Sequence, residues 1–149
     1  QKIQGFVNDQ GAAILGGVSG HAGLFSNAND IAKIMQMYLW KGSYGTITYL
    51  KPETLDLFNT CNYCDIDVRR GVGFDKPQLE DIGPTCGCVS MDSFGHSGFT
   101  GTFTWADPEE DIIYVFLSNR TYPDAGNKKI IKNNLRSDIQ DYIYQAIED

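Results

Sequence analysis

The stretch Phe94-Gly95-His96-Ser97-Gly98-Phe99-Thr100-Gly101 gathers a histidine, two hydroxyls and three glycines. Glycines beside a strand leave backbone N–H groups open to a ligand oxygen, which is how an oxyanion hole is built. Adjacency does not make His96 and Ser97 a base and a nucleophile, because neighbouring strand residues point to opposite faces. Nor is this a nucleophile elbow, since that turn needs Gly-x-Ser-x-Gly and Phe99 stands where the last glycine belongs. Spacing alone leaves two readings open: a functional strand edge, or a tight hairpin holding a structural histidine.

Two further groups could do chemistry. Gly20-His21-Ala22-Gly23 offers a second histidine among small residues, with a buried histidine satisfied by backbone as the plainer reading. Cys61-x-x-Cys64 and Cys86-x-Cys88 could be free thiols in mobile loops, two disulfides, or four zinc ligands. The one-residue gap of the second pair strains a shared metal site, so no metal is assigned. Four cysteines allow three disulfide connectivities. Nothing identifies a nucleotide or redox cofactor, and no phosphate loop or helical His–Glu–His pattern occurs.

The elements that must hold these residues follow from composition and periodicity. The 149 residues are 42% hydrophobic and 21% charged, which suits one folded domain or a large piece of one. The net charge of −7 argues against a nucleic-acid partner. The basic run Lys128, Lys129, Lys132 and Arg136 reads as a solvated helix face. No stretch approaches the ~20 apolar residues of a membrane span, and no signal peptide opens the chain.

Residues 1–25 are rich in glycine and alanine and read as close-approach loops. A helix capped by Asn27 follows, with Ile31, Ile34, Met35 and Tyr38 on its apolar face and Lys41-Gly42 as its stop. Pro52-Glu53 opens a short helix with Leu55 and Phe58 inward. Gly71-Val72-Gly73-Phe74 reads as a short strand, and 75–93 as irregular. Thr100 to Trp105, a turn at 108–111 and Ile112 to Leu117 read as a hairpin whose second strand is buried on both faces. One helix from about 128 to 147 presents Ile131, Leu135, Ile139, Tyr142 and Ala146. Its charges oppose the helix dipole, with lysines first and Glu148 and Asp149 last, so packing across the sheet must hold it.

Two segments carry a resemblance. Gly16-Gly17-Val18-Ser19-Gly20-His21-Ala22-Gly23-Leu24-Phe25-Ser26 before the first long helix resembles the matching stretch of class-C-type β-lactamase-related serine hydrolases. Phe94 to Gly101, then Trp105-Ala106-Asp107-Pro108 and Val115-Phe116-Leu117-Ser118-Asn119-Arg120, resembles their third motif and the strands after it. Arg69-Arg70-Gly71-Val72-Gly73-Phe74-Asp75 fits too. The resemblance covers nearly the whole chain and is closest to the β-lactamase-like module fused to some Bacteroidetes β-N-acetylhexosaminidases.

The resemblance implies an α/β (α+β) fold, a partial β-lactamase/transpeptidase-like domain over residues 1–149. Residues 1–92 would be mainly loops and helices, and 93–149 sheet strands plus a terminal helix. It implies an acyl-enzyme mechanism on amide or ester bonds: a β-lactam, a D-Ala peptide or an ester. Of the family's motifs, Ser-x-x-Lys and Tyr-x-Asn have no match here, and only the third maps, as His96-Ser97-Gly98. His96 and Ser97 would contact the substrate carboxylate or the tyrosine, Phe99 would give one oxyanion N–H, and His21 and Thr100 would bind substrate. The early Val-His-Asp of the family stands here as Val7-Asn8-Asp9. The chain is therefore expected to be the C-terminal portion of a periplasmic or secreted bacterial hydrolase, inactive alone, needing no cofactor, and able to form a strand-exchanged oligomer through a bare sheet edge. The rival expectations are a non-catalytic peptidoglycan- or glycan-binding module and a small zinc-stabilised domain.

Overall fold

The computed structural model describes residues 4–79 and 83–148. Residues 80–82, inside the stretch expected to be irregular, and Asp149 lie outside the described residues. The described elements are, in order, α1 (Gln10–Ile14), α2 (Ala28–Leu39), β1 (Ser43–Tyr44), β2 (Ile47–Thr48), α3 (Pro52–Asn59), a 3-10 turn (Cys64–Ile66), β3 (Phe94–Ser97), β4 (Phe103–Asp107), β5 (Ile112–Phe116), α4 (Lys129–Lys132) and α5 (Leu135–Glu148).

The start of α2 is written in its first residues. Asn27 accepts from the N–H of Asp30 at 3.1 Å and donates its amide to the Asp30 carboxylate at 2.7 Å. One free helix-end N–H is thus satisfied, and the capping side chain is itself held by the Asp30 carboxylate. The helix stops where Lys41 and Gly42 turn to φ 51° and 94°. A Cβ on Gly42 would stand 2.1 Å from the carbonyl oxygen of Leu50, so only glycine fits. Met35 is buried, with Ile31 and Tyr38 partly so. Ile34, expected on the same face, lies one residue off that stripe and is exposed.

The sheet order is β3-β4-β5, antiparallel throughout. Alternation along β4 splits its side chains between two layers. Phe103 and Trp105 stack at 5.7 Å and join Tyr114, Val89 and Tyr144 of α5 in one core. Ala106 joins Phe94 and Met35 of α2 in the other. The sheet is therefore sandwiched between α2 and α5. The first strand of the expected hairpin begins later than expected, at Phe103, because Gly98 to Gly101 form a turn. In that turn Gly98 N–H donates to the Thr102 carbonyl and Gly101 N–H to Gly98. In β5 only Tyr114 is fully buried, and its neighbours are half-covered rather than enclosed on both faces.

The C-terminal segment differs from the single helix expected. Asn134 adopts φ 50° and breaks it into α4 and α5. The face that docks is also rotated. Gln140 and Tyr144 are buried with Ile139 and Ile143 beside them, while Ile131, Leu135 and Tyr142 are exposed. The cause is polar: Gln140 accepts from Cys86 N–H at 3.1 Å, and Tyr144 donates to Asp107 at 2.6 Å. Those two bonds, with Ile139 and Ile143 beside them, define the face of α5 that docks. Arg136 is not the solvated residue expected; it donates to the carbonyl of Thr102 and lies 5.4 Å over Phe103.

Residues 71–74 form no strand; Arg70 and Asp75 make an isolated bridge around a turn instead. Phe58 on α3 points outward, leaving Leu55 as the buried residue of that helix.

Candidate active site

Gly95 sets β3 against β4 at close range. A Cβ there would stand 2.2 Å from the carbonyl oxygen of Thr104 and 2.4 Å from the Trp105 ring. Trp105 is itself fixed, because its indole N–H donates to Ser93 Oγ at 2.9 Å. This buried pair fixes the strand that carries His96 and Ser97. His96 is exposed, and its Nδ1–H donates to the carbonyl of Ser97 at 2.8 Å. In a neutral ring that bond puts the proton on Nδ1 and leaves Nε2 as an acceptor.

Beyond β3 opens a cleft of about 930 Å³. His21, Gly98, Phe99, Thr100 and Ser118 line it, whereas His96 and Ser97 are outside its lining. The turn bonds use the N–H groups of Gly98 and Gly101 and leave that of Phe99 unused among the described residues. Phe99 itself is 70% exposed, with the Arg120 guanidinium 4.6 Å over its ring. Arg120 is anchored in turn by donating to the carbonyls of Ala125 and Asn127 at 3.1 and 2.9 Å.

The opposite wall comes from the glycine-rich N-terminal segment. Here a short helix, α1, was missed by sequence reasoning. Asp9 caps it, accepting from Ala12 N–H at 2.8 Å. The same oxygen lies 2.9 Å from His21 Nε2, and Ser19 Oγ lies 2.7 Å from His21 Nδ1. In neutral His21, Nε2–H donates to Asp9, and Ser19 donates to Nδ1. The Ala12 N–H first, and His21 second, hold the Asp9 carboxyl below the usual carboxylate range. His21 is thus an exposed, oriented imidazole rather than a buried structural one.

Sequence reasoning also missed Ser118 and Arg120. Ser118 Oγ is buried at the cleft without a hydrogen-bond partner among the described residues. The available signal was Gly101, where a Cβ would stand 2.3 Å from Ser118 Oγ. Reading it requires knowing that the two loops meet.

The cysteines form Cys61–Cys64 and Cys86–Cys88 disulfides. Thiolates consumed in these bonds cannot ligate a metal, which removes the chemical basis of the zinc-stabilised alternative. Among the described residues no group of three or more His, Cys, Asp or Glu side chains is placed to hold a metal ion.

The sheet is thus walled by helices, with a glycine-lined turn at one strand end opening on a cleft. The family model described as Beta-lactamase matches residues 3–136. A protein of Escherichia coli K12 named "Putative D-alanyl-D-alanine carboxypeptidase" is 37% identical over 137 residues, spanning 91% of this chain and 31% of that protein. A protein of the same name from Salmonella agona is 37% identical over 133 residues, covering 88% of this chain and 30% of its own. A crystal structure of a β-lactamase from Mycobacterium bovis superposes with a TM-score of 0.63 at 21% identity, covering 84% of this chain and 46% of that one, and so shares the fold.

The chain belongs to the β-lactamase family of serine-hydrolase-related proteins, and its α+β architecture is that of the family. It spans about a third of the length of the curated relatives it matches.

Proposed function

We propose that this chain forms one wall of the acyl-transfer cleft of a serine hydrolase acting on amide or ester bonds, of the β-lactam, D-Ala peptide or ester class. The observation that carries this reading is the unused N–H of Phe99 beside a cleft of about 930 Å³. A backbone donor held on a braced strand end is suited to a developing oxyanion. Thr100 and His21 are the substrate-binding residues of this reading, and His96 and Ser97 contact the substrate carboxylate or the proton-shuttling tyrosine from the strand.

The nucleophile is assigned to residues outside this chain. No serine here has lysine three positions on, and no tyrosine has asparagine two positions on. A hydroxyl needs an adjacent base to attack a carbonyl; among the described residues none is hydrogen-bonded to the Ser97 hydroxyl, and His96 Nδ1 is bonded to the Ser97 carbonyl instead. The family name and the carboxypeptidase name of the relatives support the hydrolase reading. The link to hexosaminidase-fused modules remains part of this proposal. Two disulfides support a parent exported to an oxidising compartment, periplasmic or secreted.

Nitrocefin, p-nitrophenyl acetate and a D-Ala-D-Ala peptide test the reading. The chain alone is expected to turn over none of them. A protein that joins it to a Ser-x-x-Lys segment is expected to form an acyl-enzyme on that serine. Turnover by the chain alone that Ser97→Ala abolishes would overturn the assignment and make Ser97 the nucleophile.

A further inference from the structure

A second cavity, of about 410 Å³, lies against α2, α3 and the start of β3, and shares no lining residue with the cleft. Its unusual feature is Lys76, which is 6% exposed. One ammonium hydrogen goes to the carbonyl of Asp92 at 2.7 Å, and the group sits 5.9 Å from the Phe94 ring centre. Among the described residues no carboxylate lies within ion-pair distance of it. A buried cation without a counter-ion is costly, and proteins pair such groups or lower their pKa.

Its neighbours relieve it only in part: the carboxylates of Asp92, which lines the cavity, and of Asp107 attract it without forming an ion pair. Arg69 and Lys41 face the same cavity and add like charge. Lys41 is already paired with Asp56 at 2.6 Å. Arg69 spends its Nε–H on the carbonyl of Pro77, and its terminal N–H groups make no hydrogen bond among the described residues. Asn59 lines the cavity too, and its Oδ1 is buried without a donor. Lys76 and Arg69 therefore each have one carbonyl acceptor and no paired carboxylate, and Asn59 Oδ1 has no donor, among the described residues.

We infer that this cavity binds a small carboxylate carrying a neighbouring amide N–H, of the N-acyl amino acid or peptide C-terminus type. The carboxylate meets Lys76 and Arg69, and the N–H meets Asn59 Oδ1. Inorganic phosphate could also meet the cations and offer Asn59 its P–OH, so it is the competing ligand the titration has to separate. The site is independent of the acyl-transfer reading and stands or falls without it.

Calorimetric titration of the purified protein with Nα-acetyl-alanine tests the inference, beside acetate, Nα-acetyl-alanine methylamide and inorganic phosphate. Nα-acetyl-alanine is expected to bind, with acetate and the methylamide each weaker by about tenfold or more. Lys76→Met and Arg69→Gln are each expected to weaken it by about tenfold or more. Should Lys76→Met fail to fold, Arg69→Gln and the pH profile carry the test.

Burial, opposed by Asp92, and then repulsion by Arg69 and Lys41, opposed by Asp107, bring Lys76 down to about 8. Binding is therefore expected to fade as pH rises through that value. Three results would each overturn the site: no heat from folded protein at about 10 mM ligand, wild-type affinity in Arg69→Gln, or phosphate and acetate binding as well as Nα-acetyl-alanine.

Discussion

The hydroxyl of Tyr144 donates to Asp107 Oδ2 at 2.6 Å and ties α5 to the end of β4. The N–H groups of Ser90 and Glu109 complete the carboxylate's shell at 2.7 and 3.1 Å. Removing the hydroxyl leaves a buried carboxylate with fewer donors, so Tyr144→Phe is expected to cost about 1.5–3 kcal/mol, the usual range for a hydrogen bond to a charged group. Urea unfolding followed by tryptophan fluorescence measures it, since Trp105 packs in the same core. A midpoint equal to wild type would show that the bond contributes nothing net.

The same carboxylate sets an acid limit. Burial alone would raise the Asp107 pKa, but the hydrogen bonds from Ser90, Tyr144 and Glu109 outweigh it and hold the group below its ordinary value. A carboxyl whose folded pKa is depressed contributes stability that is complete above its unfolded pKa. That contribution is lost as pH falls through the folded value. Stability from this site is therefore expected to be flat above about pH 5 and to fall below about pH 4. Asp107→Asn is expected to be less stable at neutral pH and to show a shallower acid slope. Equal slopes in the two proteins, measured by urea midpoints from neutral to acid pH, would remove Asp107 from the acid transition.

The helix α2 was legible because cap, stripe and stop are local: Asn27, the buried Met35 and Gly42 each act within a few residues. The strands β4 and β5 were legible as apolar and aromatic runs. The face of α5 was not, because Gln140 and Tyr144 are drawn in by Cys86 and Asp107, which lie 54 and 37 positions away. The same reason hid half of the candidate site. The segment Phe94 to Gly101 carried a readable pattern, whereas Asp9, Ser118 and Arg120 acquire meaning only when three loops meet around one cleft. His21 was visible as a residue type, but its bond to Asp9 twelve positions earlier was not.

Gly95 is a packing constraint on the candidate site. Its missing side chain lets the Trp105 ring lie over β3, and the nearest obstacle to a Cβ is backbone, the Thr104 carbonyl at 2.2 Å. Backbone in a paired strand cannot yield cheaply. Gly95→Ala is expected to cost about 1–3 kcal/mol, the usual penalty for overpacking. The His96 ring resonances should shift in the same variant, because the displaced strand carries them. Wild-type stability together with unmoved His96 signals would show that β3 is not braced in this way.

The free edge of β5 bears on the chain's behaviour in solution. Strand β4 pairs with one side of β5, and among the described residues no strand pairs with the other. The sequence there, Ile112-Ile113-Tyr114-Val115-Phe116, is apolar and carries none of the lysines or prolines that commonly protect an edge. A row of unpaired backbone donors and acceptors beside such side chains is a template for a second strand. The chain alone is therefore expected to elute from size-exclusion chromatography as a concentration-dependent dimer or larger species. Val115→Lys, which puts a charge on that edge, is expected to shift it toward monomer. A compact monomer at millimolar concentration would mean that the edge is covered or otherwise inert, and that strand exchange plays no part in its assembly.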